Sequence, residues 1–242
     1  MGQKELILIG TVHGDPDGMM LLLHLLRNEN PVQVVVEVSP YGLSFRQRKS
    51  RRLLRLLARR FRHIACASDS PMKRWGQIQA ISAQIRLPFE YRACLRYCRN
   101  PDTFLSCLDL SSLSMQLIRG GWDELISKRN IKILCHSNPE NLRERTTRAY
   151  KLASRLLKEK EEARSFASIR GWQNDVDWQS REAFLAAGVE RRWAMMESGR
   201  LAYIGGWQHL LCATGSGTLC ERLAYLHPRK ILLGECPQDK GS

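Results

Sequence analysis

The sequence has 242 residues, of which 43% are hydrophobic, and a formal net charge of +14 at pH 7. A chain of this length and hydrophobic content can bury a core, which excludes an intrinsically disordered protein. The longest apolar stretch, 19–26, is interrupted by His24 and is shorter than the ~20 residues that span a bilayer, so we expect no transmembrane helix. The first apolar stretch lacks a signal-peptide cleavage site and is interpreted as a strand.

The cysteines predict the cellular compartment. None of them forms a C-x-x-C pair, and most stand beside apolar residues. In a chain of this length, such scattered cysteines are typical of buried free thiols in a reducing environment. We therefore expect free thiols and a cytoplasmic location. The eight cysteines are Cys66, Cys94, Cys98, Cys107, Cys135, Cys212, Cys220 and Cys236.

The predicted elements alternate between strands and helices. Strands are predicted at 5–10, 33–38, 102–110, 131–135, 201–205 and 230–234. Helices are predicted at 19–27, 139–167, 175–197 and 217–226, together with a basic helix after the second strand and one or two helices over 75–99 that are broken near Pro88. This order predicts an α/β fold with a central, mainly parallel or mixed sheet flanked by helices. We expect a single domain over 1–242, in which the largely helical segment 75–198 is a candidate insertion or cap.

A strongly basic segment follows the second strand. Nine Lys and Arg residues fall within 46–62, and the apolar residues among them keep helical spacing. The pattern predicts an amphipathic helix with a basic face. That face is either a solvated surface or a binding surface for nucleic acid or another anionic partner. Few aromatic residues stand among the charges, which disfavours stacking on single-stranded bases.

One motif recurs near the two ends of the chain. The first strand runs into Gly10, with His13 three residues later, and the late strand runs into Gly206, with His209 three residues later. Glycine allows the backbone to turn sharply where a strand ends. The carboxyl edge of an open α/β sheet is also where ligands bind. If the two strands are neighbours, both imidazoles face one cleft.

Acidic residues supply further candidates for a site. Glu37 interrupts an apolar strand, so it needs a metal ion, an arginine or a histidine as partner if it is buried. Alternatively, it faces solvent at the strand end. Asp109 also ends an apolar strand. Asp15 is either a turn residue or part of the site, and Asp17 is expected to cap the following helix.

Four short segments together resemble the TraB family and the related Tiki proteases. They are Gly10-Thr-Val-His13, Val36-Glu37-Val-Ser-Pro-Tyr41, Glu190-Arg-Arg-Trp-Ala-Met-Met196 and Ile204-Gly-Gly-Trp-Gln-His-Leu210. More distant relatives of that family include erythromycin esterases and haem-binding ChaN-type proteins. The resemblance implies site roles for His13, Glu37, Arg191 and His209. Two features depart from the family pattern: Arg192 stands where asparagine is expected, and the membrane-spanning tail of some members has no counterpart here.

The resemblance implies a metal-dependent hydrolase, peptidase-like or esterase-like, with a peptide or small molecule as substrate. His13 and His209 would bind a divalent ion such as Mn, Co or Zn, and Glu37 would complete the ligand set or act as general base. Arg191 would stabilise an oxyanion or bind a substrate carboxylate.

Three alternatives to this mechanism stay open. The esterase relatives suggest a metal-free variant in which histidine and glutamate activate water directly. The haem-binding relatives suggest a non-catalytic protein that binds haem, another ligand or a regulatory partner. The basic segment 46–62 suggests nucleic-acid binding.

Overall fold

A five-stranded sheet forms the centre of the protein in a computed structural model, which describes residues 3–65, 75–136, 141–212 and 214–235. All neighbouring strands are parallel, and their order is β3-β2-β4-β1-β5. The predicted α/β class is therefore confirmed, with the sheet parallel throughout. The strands are β1 Lys4–Thr11, β2 Gln33–Val36, β3 Phe104–Cys107, β4 Gly199–Gly206 and β5 Arg229–Leu232.

Helices connect the strands and cover both faces of the sheet. The α-helices are α1 Gly18–Glu29, α2 Pro40–Ala65, α3 Trp75–Ile85, α4 Phe89–Tyr97, α5 Ser111–Leu125, α6 Lys128–His136, α7 Leu142–Lys158, α8 Lys160–Ile169, α9 Val176–Met195 and α10 Leu219–Arg222. Short 3-10 turns lie at Trp207–Leu210, Ala224–Leu226 and Leu233–Glu235. The predicted break near Pro88 is confirmed, because α3 ends at Ile85 and α4 begins at Phe89.

Three predicted elements differ from the structure. The strand predicted at 131–135 is wrong, because this segment lies in α6, where Ile131 packs in an apolar cluster between helices. Short apolar runs do not distinguish a strand from a buried helix turn. The long helix predicted over 139–167 is two helices, separated at Glu159 by an extended backbone conformation. The helix predicted over 217–226 is the four-residue α10 followed by a 3-10 turn.

The starts of two helices also differ from the predictions. The start predicted at residue 139 lies outside the described residues, and Asn141 caps α7 by accepting a hydrogen bond from the backbone N–H of Arg143. Asp17 stands at the N-cap position of α1, but its side chain makes no capping hydrogen bond. The Asp17 carboxylate instead lies 2.9 Å from Nη2 of Arg143.

The sheet is buried on both faces, which explains the unbroken apolar runs of its strands. Ile7 and Ile9 of β1 pack in one cluster with residues of α1, α4 and α7. Leu6 and Leu8, which point to the opposite face, pack with residues of α9 and α10. A third apolar cluster joins α2, α3 and α6, and half-buried Trp122 of α5 packs against it.

The cysteines differ in part from the expectation of free thiols. Cys212 and Cys220 are joined by a disulfide, with their Cα atoms 5.7 Å apart. Cys94, Cys98 and Cys107 are free. The spacing of the cysteines in the sequence did not indicate this pair. Cys212 and Cys220 meet only because the chain folds back between β4 and α10. Within the described parts of the chain, no helix has the length and apolar character needed to span a membrane.

Candidate functional site

The two G-x-x-H motifs lie side by side at the carboxyl edge of the sheet. Strands β1 and β4 pair directly, with Gly10 opposite Gly205. From β1 the chain continues to α1 on one face of the sheet, and from β4 it continues to α10 on the other. Adjacent strands whose connections diverge in this way open a crevice at their carboxyl ends. His13 and His209 lie in the two loops that border this crevice.

His209 is enclosed by two carboxylates. Its Nε2 atom lies 3.0 Å from Oε2 of Glu37, and its Nδ1 atom lies 2.6 Å from Oε1 of Glu182. The ring also stacks on Trp178, with centroids 5.5 Å apart and planes 3° from parallel. Burial lowers the pKa of His209, but Glu37 and Glu182 outweigh this effect and raise the pKa to about 10. The two carboxylates therefore favour the protonated form of the imidazole.

Glu37 is buried at the end of β2 and accepts hydrogen bonds from three directions. Its carboxylate accepts the backbone N–H of Gly206 at 2.7 Å, the hydroxyl of Tyr203 and Nη2 of Arg181, and it forms an ion pair with Nε2 of His209. Burial raises the pKa of Glu37, but His209 and Arg181 hold it well below the ordinary value. The alternative of a solvent-facing Glu37 is excluded, and the histidine and the arginine are the partners that its burial requires.

Arg181, on α9, joins Glu37 to the predicted candidate Asp109. Its Nε and Nη2 atoms donate to the two carboxylate oxygens of Asp109 at 2.8 and 2.9 Å. Nη1 makes no hydrogen bond to any described residue, and 24% of the side chain is exposed. This leaves one amino group of the guanidinium available to a ligand. Sequence reasoning missed Arg181 because no motif distinguishes it from other helix arginines.

Arg191, the arginine implied by the family resemblance, is not part of this cluster. It is exposed on α9, ten residues after Arg181. Ten helical residues correspond to about 15 Å along the helix axis. The structure thus brings Arg181, and not Arg191, to Glu37.

His13 is paired with a carboxylate that sequence reasoning also missed. Its Nδ1 atom lies 2.7 Å from Oε1 of Glu90, which is buried in the first turn of α4 and also accepts the hydroxyl of Thr11. The His13 side chain is 61% exposed. Desolvation lowers the pKa of His13, but the negative charges of Glu90 and Glu37 outweigh it and raise the pKa to about 9.

The backbone of Gly206 brings the two imidazoles close together. A Cβ atom at this position would lie 3.4 Å from Nε2 of His13 and 3.7 Å from Cδ2 of His209. Because Nδ1 of His13 is held by Glu90, Nε2 is the nitrogen that faces the crevice. Gly10 likewise lets the side chain of Leu210 pack directly against the backbone of β1, since a Cβ atom at position 10 would lie 2.9 Å from Cδ2 of Leu210.

Asp15 is a turn residue that holds the loop of His13. Its Oδ1 accepts the backbone N–H of Asp17, and its Oδ2 accepts the hydroxyl of Tyr150, which in turn accepts the N–H of Val12. Burial raises the pKa of Asp15. Asp15 and Tyr150 also line a groove of about 610 Å³ between this loop and α7.

The arrangement does not fit the expected metal site. Among the described residues, no group of three or more His, Cys, Asp and Glu side chains could hold a metal ion. Both ring nitrogens of His209 face carboxylates, so neither offers a lone pair to a metal. The Glu37 carboxylate is likewise committed to Gly206, His209 and Arg181. The expected ligand set of His13, His209 and Glu37 therefore has no support.

No protein-family model, curated protein or solved structure matches the chain. The resemblance to the TraB and Tiki family thus rests on its four sequence segments and stays a prediction.

Proposed function

We propose that the protein is a metal-independent hydrolase of carboxylic esters or amides, with His13 as its general base. The observation that carries the proposal is the His13–Glu90 pair. Glu90 is buried and fixes Nδ1 of His13, so that Nε2 is open at the crevice beside Gly206. A carboxylate that orients an exposed imidazole is the arrangement that general acid–base catalysis requires.

The proposed reaction needs only water and the substrate. Nε2 of neutral His13 takes a proton from a water molecule while the water oxygen attacks the carbonyl carbon and the carbonyl electron pair moves onto oxygen. The resulting tetrahedral species collapses, and the bond to the alcohol or amine breaks. The leaving group takes the proton from Nε2–H of His13, which returns the histidine to its neutral form.

Arg181 is the candidate for stabilising the negative charge on oxygen. Its Nη1 group is available, and its Nε and Nη2 groups are fixed by Asp109 and Glu37. A guanidinium held in place before the reaction stabilises a developing oxyanion without reorganising. In this proposal Glu37 and His209 are positioning residues, because both side chains are buried and form ion pairs within the cluster.

Hydrolysis of p-nitrophenyl esters and p-nitroanilides by the purified full chain tests the proposal. We expect turnover that is unchanged after dialysis against EDTA, and an H13A variant at least ~100-fold slower, which is the usual loss on removing a general base. The control is H24A, which replaces an exposed histidine of α1. Equal rates for H13A and the native chain would contradict the role of His13. Activity abolished by EDTA and restored by Mn, Co or Zn would instead support the metal-dependent alternative.

A further inference from the structure

The predicted basic segment 46–62 lies within α2, and its arginines form a row on the exposed face of that helix. Each residue of an α-helix turns by about 100° and rises by about 1.5 Å, so the six arginines share roughly a third of the circumference over about 21 Å. Leu57 and Phe61, on the opposite side of α2, are buried against the neighbouring helices. The row, named here the arginine row, consists of Arg48, Arg51, Arg52, Arg55, Arg59 and Arg62, all exposed.

The charge of the arginine row is not neutralised within the described protein. Helix α2 contains no acidic residue, and none of the six arginines forms an ion pair with a described residue. Like charges three or four positions apart on a helix destabilise it by a few tenths of a kcal/mol per pair. The row therefore opposes the local stability of α2, which is typical of a surface selected for binding.

We propose that the arginine row binds the phosphate backbone of double-stranded nucleic acid without reading the base sequence. Guanidinium groups match phosphate oxygens in charge and geometry, and six of them on a rigid helix present a straight positive line to a regular row of phosphates. No large exposed hydrophobic side chain of the described residues lies on α2, whereas interfacial membrane helices insert such side chains into lipid. The row also lacks aromatic residues, on which single-stranded bases would stack.

Fluorescence anisotropy with a labelled 20-base-pair DNA duplex of arbitrary sequence tests the inference. We expect binding whose logarithmic dependence on salt concentration has a slope of about −5, corresponding to six phosphate contacts. The triple variant R52E/R55E/R59E should weaken binding at least 100-fold at 0.1 M salt and make the slope about 3 units less steep. The matched control R92E/R96E/R99E changes three exposed arginines of the α4 region by the same charge and should bind within threefold of the native chain.

The melting temperature separates lost binding from lost folding. The R52E/R55E/R59E substitutions turn the like-charge pairs 48/52, 51/55 and 59/62 into opposite-charge pairs, and the pairs 52/55 and 55/59 stay like-charged. No repulsive pair is added within the row, so this variant should melt no lower than the native chain. Equal loss of duplex binding in both triple variants would show that only net charge matters and would overturn the inference. Binding to phosphatidylserine vesicles through the same arginines, with no duplex binding, would also overturn it, as would tighter binding of single strands than of duplexes.

Discussion

Glu90 and His13 are 77 positions apart in the chain, yet Oε1 of Glu90 lies 2.7 Å from Nδ1 of His13. The carboxylate is almost completely buried while the imidazole is mostly exposed. Burial of a carboxylate is unfavourable unless it is paired, so the Glu90 charge stabilises the protonated form of His13. The pair therefore controls when His13 is able to accept a proton.

The proposed hydrolysis should be faster at alkaline pH. The general base must be neutral, and the pKa of His13 is raised to about 9. The rate should therefore rise roughly tenfold per pH unit from pH 6 and level off near pH 9. In E90Q the carboxylate that raises the pKa is gone, so the rising limb should move to lower pH by more than one unit. Initial rates from pH 5 to 10 measure both profiles.

The control for this pH profile is E124Q, which removes an exposed carboxylate of α5. Its profile should coincide with that of the native chain. A rising limb that stays in place in E90Q would contradict the assignment of the limb to His13.

The buried ionic cluster predicts how stability depends on pH. The pKa of His209 is raised from 6.5 to about 10 in the folded protein, so its contribution is complete below pH 6.5 and is lost as pH rises toward 10. The pKa of Glu37 is lowered, so its contribution is present above pH 4.5 and is lost on acidification. The free energy of unfolding should be highest between these limits. It should fall by more than about 1 kcal/mol between pH 6.5 and 8.5, because His209 and His13 lose their protons in this range in the unfolded chain but keep them in the folded protein.

Urea unfolding followed by circular dichroism at each pH measures this effect. An H24A variant should show the same decline as the native chain, because His24 is exposed on α1. Stability that is constant or increases from pH 6.5 to 8.5 would show that His209 is not held as a cation.

Arg181 and Arg191 offer a direct comparison on one helix. R181Q removes the guanidinium that pairs with buried Glu37 and partly buried Asp109, so it should destabilise the protein by about 3 kcal/mol or more. R191Q replaces an exposed arginine and should change stability by no more than about 0.5 kcal/mol. Denaturant unfolding measures this difference in stability, as a shift of the unfolding midpoint at an unchanged m-value. Similar losses in the two variants would contradict the position of Arg181 in the cluster.

The side chains of Glu37 and Tyr203 lie so close to Gly205 that a larger residue there should destabilise the protein. A Cβ atom there would clash with Oε2 of Glu37 and lie 2.6 Å from the hydroxyl oxygen of Tyr203. Because Glu37 is held by hydrogen bonds and Tyr203 is fully buried, G205A should cost about 1–3 kcal/mol of stability. G120A, in an open position on α5, should instead stabilise the protein by about 0.5–1 kcal/mol. Thermal melting of the two variants should therefore shift in opposite directions.

The sequence alone determined the α/β class, the paired motifs and the candidate residues Glu37 and Asp109. Strands buried on both faces leave unbroken apolar runs, and a carboxylate at the end of such a run stands out from its surroundings. Gly10 and Gly206 each stand three residues before a histidine, and this repeated spacing indicated where β1 and β4 end. These signals are local, so they can be read without knowing which strands are neighbours.

Only the tertiary structure decided which side chains complete the site and what the histidines can do. Glu90, Arg181 and Glu182 come from helices on which charged residues are common, and only packing brings them to the sheet edge. Parallel pairing of β1 with β4 joins segments separated by most of the chain, which no local pattern specifies. Because both nitrogens of His209 face carboxylates while Nε2 of His13 is open, the same residue type is part of a buried ionic cluster at one position and a candidate base at the other.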